Sequence, residues 1–465
     1  MTAAAGATIT IKAITELHRS KGRYTLVTMR IGGGQGIAAI FFARVTGFVR
    51  GQKNQAFLGS SAYPASASSC LVKSNTTMLK NHFLGADERA ELDLLRQSLE
   101  RFCDAEIEPH YPAWEKAGQV PRALFAQMGA QGYLCADVPG QYGGSGAKVH
   151  FSFAVIEVLS RRGYGGLVGG LQVHNDIIPP YLLHCGTEAQ RQHWLPRMVS
   201  GEAIAAIGMT EPGAGSDLKA LRTTARKDGD HYVINGSKIF ISNGQNCDLL
   251  VLAAKTDPAA GAKGVGLFLV DTSTPGFSRG NKLEKIGQHA GDTSELFFNE
   301  MRVPQDALLG GVEGQGFVQM MRELPRERLI IGVQAVYGAK GALDVTLRYV
   351  QERQAFGHAI GQFQNTRFTL AQCATEIAAA EAFLNASVAA YEHGDLTPEA
   401  ASALKLHASE LMGSVADQCL QLFGGYGYMV EYPISRFWTD ARVLRIYGGT
   451  SEIMKELVAR SLLGR

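Results

Sequence analysis

The sequence predicts a multidomain α+β protein ordered as helical domain, β domain, helical domain. Three observations carry this reading. Apolar residues recur at helical spacing from about residue 80 to 205, short β-like runs fill 206–315, and long helical segments return from 316. A chain of 465 residues also exceeds what one hydrophobic core serves, which suggests about three domains.

Two segments precede that organised part. Residues 1–44 hold two β-like runs, 24–29 and 37–42, around Ile31-Gly32-Gly33-Gly34-Gln35-Gly36. A glycine loop cradles phosphate when it follows a strand and opens a helix. Here an apolar strand-like run follows and no lysine stands at Walker-A spacing, so the glycines read as a turn. Residues 45–79 are rich in Gly, Ser, Ala and Gln without periodicity and read as a disordered linker.

The N-terminal α-helical domain spans 80–205. Leu92, Leu95, Leu99 and Phe102 predict an amphipathic helix over 86–105, and further helical patterns follow between Gly/Pro turns. The middle β domain spans 206–315. Residues 231–244 read as two β-runs joined by a hairpin turn at Asn235-Gly236, and 248–256 and 264–272 as further strands. The C-terminal α-helical domain spans 316–465, with helices over 316–352, 363–392 and 398–423. Their length points to a bundle that doubles as an oligomer interface.

Composition excludes several classes. Residues 1–80 carry ten Lys/Arg and one acid, Glu16, which leaves 35 basic and 42 acidic residues, a charge of −7, on the rest. A mildly acidic body argues against a nucleic-acid partner. The seven cysteines, at 70, 103, 135, 185, 247, 373 and 419, form no CxxC pair, which fits a reducing compartment and points to no metal. No apolar run approaches the roughly 20 residues of a membrane span, and the C-terminal residues are not a peroxisomal signal. The basic start resembles a mitochondrial transit peptide in composition only, so bacterial cytoplasm is the expected location and the mitochondrial matrix the second choice.

Chemistry-bearing residues concentrate in three stretches. Gly208-Met209-Thr210-Glu211-Pro212-Gly213-Ala214-Gly215-Ser216-Asp217 opens the β domain, and its small residues let a flat ring or phosphate approach the backbone. Phe240-Ile241-Ser242 ends a strand with an aromatic and a hydroxyl. Gln421-Leu422-Phe423-Gly424-Gly425 follows a long helix, where a plain C-cap is the alternative. Taken with 352–364 (ERQAFGHAIGQFQ) and 421–440, which includes Glu431, Arg436 and Asp440, these motifs resemble the acyl-CoA dehydrogenase family over about 80–465. The resemblance implies a β-barrel-like middle domain, a C-terminal four-helix bundle, a homotetramer and FAD as cofactor. It also implies an acyl-CoA substrate, desaturated between Cα and Cβ in fatty-acid β-oxidation, and an electron-transfer flavoprotein as electron acceptor.

The same resemblance assigns residues. Ile207, Met209, Thr210, Gly215, Ser216, Phe240, Ile241 and Ser242 would line the flavin, with Ser216 also touching CoA. Position 240 is Phe where many members carry Trp. Arg353, Phe356, Gln364, Gln421, Leu422, Phe423, Gly424 and Gly425 would reach FAD across an interface; Arg suits the pyrophosphate because it stays charged and binds bidentately. Thr450, Ser451 and Glu452 would close over the cofactor.

A base must take the weakly acidic Cα proton, and a carboxylate does this best when partly desolvated. Many family members use a Tyr-Glu-Gly-Thr segment near the C-terminus. Here that segment is Tyr447-Gly448-Gly449-Thr450, without the glutamate. Long-chain and isovaleryl members place the base in the first helix of the C-terminal domain, beside an arginine. The matching stretch is Leu324-Pro325-Arg326-Glu327-Arg328, and 446–460 also looks most like the long-chain branch. The resemblance therefore implies Glu327 as the base and the Gly448 backbone N–H as donor to the thioester oxygen. Pro325, Arg328, Gly448 and Gly449 would contact substrate. In isolation Glu327 reads as a solvated helix carboxylate paired with arginine. A non-catalytic FAD- and CoA-binding relative and an acyl-CoA oxidase are the alternatives.

Residues 3–43 resemble the C-terminal tail of a thiolase, in which the residue before Ile-Gly-Gly-Gly-Gln-Gly is a catalytic cysteine. Here it is Arg30, which cannot serve as a nucleophile. Residues 1–77 thus read as a fused or mis-started remnant, with Met78 a natural start. Intact mass of the natively expressed protein is expected to match a chain beginning at Met78; a chain beginning at Met1 rules out the mis-start.

Overall fold

The computed structural model describes the backbone of residues 24–31 and 35–42, and residues 84–464 in full. Strands β1 (Tyr24–Ile31) and β2 (Gln35–Phe42) pair antiparallel, with Arg30 opposite Gly36. A strand rather than a helix therefore follows the glycines, and Gly32, Gly33 and Gly34 lie outside the described residues. This pair belongs to a unit separate from the one beginning at Cys70. The linker at 45–79 also falls outside the described residues.

The second unit opens with seven helices: α1 (Ala86–Phe102), α2 (Tyr111–Ala117), α3 (Arg122–Ala130), α4 (Val149–Arg161), α5 (Gly165–Gln172), α6 (Ile178–Cys185) and α7 (Glu188–Val199). Helix α1 buries Leu92 and Leu99 along the expected stripe. It continues past 102 as one π-helical stretch, Cys103–Ile107.

Seven strands follow: β3 (Ala205–Gly208), β4 (Thr224–Asp228), β5 (His231–Ser242), β6 (Leu249–Lys255), β7 (Val265–Asp271), β8 (Phe277–Lys282) and β9 (Thr293–Pro304). They form one sheet in the order β3-β6-β4-β5-β9-β8, with β7 also on β6. The runs at β6 and β7 are apolar throughout because both faces are covered. Leu249, Val251 and Ala253 face the helical core, and Leu250, Leu252 and Ala254 face the core inside the curled sheet.

The expected hairpin at Asn235-Gly236 is corrected. Residues 231–242 form a single strand, and the register shift at Ile234/Gly236 marks a bulge against β9. Asn235 Nδ2 donates to Glu300 Oε1 at 2.6 Å and Asn235 Oδ1 accepts from the Glu300 N–H at 2.8 Å, which fixes the bulge. A Cβ on Gly236 would lie 2.5 Å from Thr223 Oγ1, so this glycine serves close approach rather than a turn. The turn is at Gly229-Asp230, where Asp228 pairs with His231.

The C-terminal part holds α8 (Gly316–Glu352), a small hairpin of β10 (Gln354–Ala355) and β11 (His358–Ala359), then α9 (Gln364–Glu392), α10 (Pro398–Phe423), α11 (Pro433–Ala441) and α12 (Ser451–Leu463). Helix α8 is the axis, in contact with α4, α9, α10 and α11, while α12 packs on α10. Its 37 residues span roughly 55 Å. Arg436 forms a bidentate pair with Glu115 at 2.8 and 2.8 Å, and the buried Asp440 carboxylate accepts the Gln288 N–H. These residues of the 421–440 stretch thus tie α11 to the helical and β parts.

Candidate active site

Glu327 lies on α8 and is buried. The Tyr181 hydroxyl, from α6, donates to Glu327 Oε1 at 3.0 Å. Burial pushes the Glu327 carboxyl up to about 7; the Tyr181 hydrogen bond opposes this, Glu323 adds to it and Arg328 opposes it. A carboxylate near 7 is poised as a base at neutral pH. The solvated-helix alternative therefore fails on burial.

Neighbouring charges hold this stretch of α8 in place. Arg326 is buried between Asp137 Oδ2 at 2.7 Å and Asp176 Oδ1 at 3.2 Å, tying α8 to the N-terminal helices. Arg328 donates to Ser402 Oγ on α10 at 3.1 Å. Pro325 lines a cavity of about 770 Å3 beside Glu323, Arg326 and His184.

The Gly448 turn sits against the same helix. A Cβ on Gly448 (φ +62) would lie 2.3 Å from Ile331 Cδ1, one turn beyond Glu327. Tyr447 donates to Gln334 Oε1 at 2.8 Å, and Lys405 Nζ donates to the Gly449 carbonyl oxygen at 2.6 Å. Thr450 caps α12 by accepting from the Ile453 N–H, buried Ser451 donates to Glu410, and Glu452 is exposed.

The first motif is stitched to the end of β5. The Ile239 N–H donates to the Thr210 carbonyl at 3.0 Å, and buried Lys238 Nζ donates to the Met209 carbonyl at 3.1 Å and to Glu211 Oε1 at 2.8 Å. Glu211 also accepts the N–H groups of Arg222 and Thr223. Burial pushes the Lys238 ammonium down to about 8 against the pull of Glu211. Ile207 to Thr210 and Phe240 to Ser242 are thereby brought together. Ile207 is half-buried, Ile241 buried, and Gly215 and Ser216 exposed. Phe240 is 64% exposed with φ +61, a conformation uncommon for an aromatic residue.

A second cleft of about 490 Å3 gathers Arg353, Gln421, Leu422, Phe423, Gly424 and Gly425. Arg353 stacks over Tyr426 at 5.4 Å, and a Cβ on Gly424 or Gly425 would meet open space. Phe356 and Gln364 stand exposed outside this cleft. Open glycine backbone, a guanidinium, hydroxyls and an exposed aromatic ring fit both the pyrophosphate and the flat ring of FAD.

Several residues here carry no motif: Tyr181, Lys405, Ile331, His184 and the Asp137/Asp176 pair. The one available signal is spacing, since Tyr181/His184 and Glu323/Glu327 share helix faces at i,i+3 and i,i+4.

Comparison with known proteins identifies the family. Family models for the acyl-CoA dehydrogenase N-terminal, middle and C-terminal domains match residues 89–202, 206–301 and 314–463. The long-chain specific acyl-CoA dehydrogenase of Sus scrofa mitochondria is 45% identical over 377 residues, 80% of this chain and 87% of that protein. An acyl-CoA dehydrogenase from Geobacillus kaustophilus superposes with a TM-score of 0.79 at 44% identity, over 82% of this chain and 99% of that one. A Mycobacterium smegmatis glutaryl-CoA dehydrogenase solved with FADH2 has a TM-score of 0.77 at 29% identity, over 83% and 97%. The chain belongs to the acyl-CoA dehydrogenase family of FAD-dependent oxidoreductases.

Proposed function

We propose that this protein desaturates a long-chain or branched acyl-CoA to the trans-2-enoyl-CoA, with Glu327 as base. The observation that carries the proposal is the buried carboxylate of Glu327, one helical turn from the Ile331 side chain that meets the Gly448 turn. Glu327 removes the Cα proton, and the Gly448 N–H holds the thioester oxygen as negative charge builds there. FAD, when bound, accepts the hydride that leaves Cβ. Ile207 to Ser216 and Phe240 to Ser242 would hold its ring, with Ser216 reaching CoA. Arg353, Phe356, Gln364 and Gln421 to Gly425 would reach FAD across the interface, and Thr450 to Glu452 would close over it. Pro325, Arg328 and Gly449 would contact the substrate.

An electron-transfer flavoprotein would receive the electrons, and a homotetramer is the proposed assembly. Phe356, Tyr428 and Val430, at 94, 83 and 86% exposed, support burial against further copies of the chain. Long-chain similarity supports the substrate class, and a bacterial cytoplasmic location remains the preferred reading. The boundaries given above for the three domains and the remnant character of residues 1–77 belong to the same proposal.

Anaerobic titration with acyl-CoAs of graded length, followed by flavin absorbance, tests this. Wild type is expected to bleach, with the best chain length naming the substrate, and Glu327→Gln to bleach roughly 10²–10⁴-fold more slowly. Equal rates move the base elsewhere. Bound FAD and CoA ligand without bleaching identify a non-catalytic relative, and rapid reoxidation by air identifies an oxidase.

The base works ionised, so the bleaching rate is expected to rise with pH through about 7 and then level off. Tyr181→Phe removes the hydrogen bond that holds the carboxyl down, so its midpoint should move to higher pH. An unmoved midpoint separates Tyr181 from the titrating group.

Gly448→Ala forces a Cβ onto Ile331 Cδ1 at positive φ, and bleaching should slow by about tenfold or more. Adding Ile331→Val removes that methyl and should recover part of the loss. Additive losses in the double variant contradict the contact.

A further inference from the structure

The buried base raises a question that its hydrogen bonds answer in part: where its proton goes after each turnover. Glu327 and Tyr181 are both buried, and neither lines the cavity of about 770 Å3 beside them. One helical turn earlier on α8, Glu323 does line it, as does His184, one turn after Tyr181 on α6. His184 Nδ1 meets Glu323 Oε1 at 2.9 Å. The Glu323 side chain is 4% exposed and that of His184 39%. Residues four apart on a helix stand about 5–6 Å apart at Cβ, so the two carboxylates are neighbours. Tyr181 lies beside both. The arrangement is a ladder of two rungs, a buried one at Tyr181–Glu327 and a cavity-facing one at His184–Glu323. Arg322 also faces Glu323, at 3.6 Å.

We propose that Glu323 and His184 form the exit by which the proton taken by Glu327 reaches water. This rests on Glu327 being the base. The Glu327 carboxyl gives its proton to the Glu323 carboxylate and regains its negative charge. Glu323 passes the proton to the His184 imidazole, and the imidazolium releases it to water in the cavity. No electrons move, and each group ends as it began. Both residues act through Glu327 and are positioning residues for its recharging rather than contacts of the substrate. Without such an exit, the carboxylic acid keeps its proton, or returns it to Cα, for as long as the ligand fills the site.

Hydrogen exchange at Cα reads this step directly. With the flavin already reduced by dithionite, hydride transfer is blocked, and repeated abstraction in D2O loads deuterium onto Cα of acyl-CoA only as fast as the base exchanges with water. Wild type is expected to exchange, and Glu323→Gln and His184→Gln to exchange about tenfold or more slowly. Bleaching of oxidised His184→Gln, which needs one abstraction only, should change less than about twofold; Glu323→Gln also removes a charge that raises Glu327, so its bleaching midpoint should move to lower pH. Imidazole in the buffer should restore exchange in His184→Ala. Exchange within twofold of wild type in either glutamine variant overturns the relay. Bleaching that falls in step with exchange, with no rescue by imidazole, also overturns it by assigning the pair a structural role. Glu327→Gln is the separate control: if it bleaches and exchanges like wild type, the base assignment fails, whatever the other variants do.

Discussion

One dry carboxylate sets the terms for the molecule. The upward shift of Glu327 from 4.5 to about 7 corresponds to about 3 kcal/mol against its ionised form. A raised folded-state pKa means this stability is fully present below about 4.5 and is lost as pH rises through about 7. The fold must supply that energy elsewhere. Apolar burial along α8 offsets it, while Arg326, the preceding residue, fixes position: it is buried between Asp137 and Asp176, and removing one partner of such a group costs about 3–5 kcal/mol. The cation clamps α8 against the N-terminal helices, so its neighbour is carried into the interior and held there.

The sheet serves the same site by a different route. Its β6 and β7 strands bury both faces, so the sheet is anchored to the helical core on one side and closes on itself on the other. That leaves β3 and the end of β5 in fixed relation, and the first motif hangs between them. Lys238 and Glu211 fasten it from below through carbonyl and N–H groups. The loop itself remains free of bulky side chains, which is what close approach by a ring requires.

Local signals in the sequence described the elements well and the contacts between them poorly. Leu92 and Leu99 announced α1 by spacing, and the apolar runs at β6 and β7 announced covered strands. Asn235-Gly236 misled because the pair that favours a tight turn also suits a bulge, and only the β9 partner, about 60 residues away, decides between them. At the site, Gly448 and Glu327 were legible through motif resemblance. Tyr181 was not, since a tyrosine within an apolar helix reads as core until its hydroxyl is seen to meet a carboxylate 146 residues away. Lys238 and Lys405 were equally silent, because a buried lysine is recognised only by the acceptors around it.

The turn at Gly448 has no room for a side chain against α8. A side chain there would strike Ile331, whose place on α8 is set by the same helix that carries Glu327. Leaving 448 bare avoids that clash and keeps its N–H available. Arg328 and Lys405 lie close enough to oppose each other's charge, and burial with that repulsion pushes Lys405 down to about 8. Lys405 spends its ammonium on the Gly449 carbonyl, so the turn is pinned by a cation rather than closed by an anion. Under the proposed function, negative charge arriving at the thioester oxygen would meet the Gly448 N–H, while the proposed base, Glu327, stands one turn from Ile331 on α8.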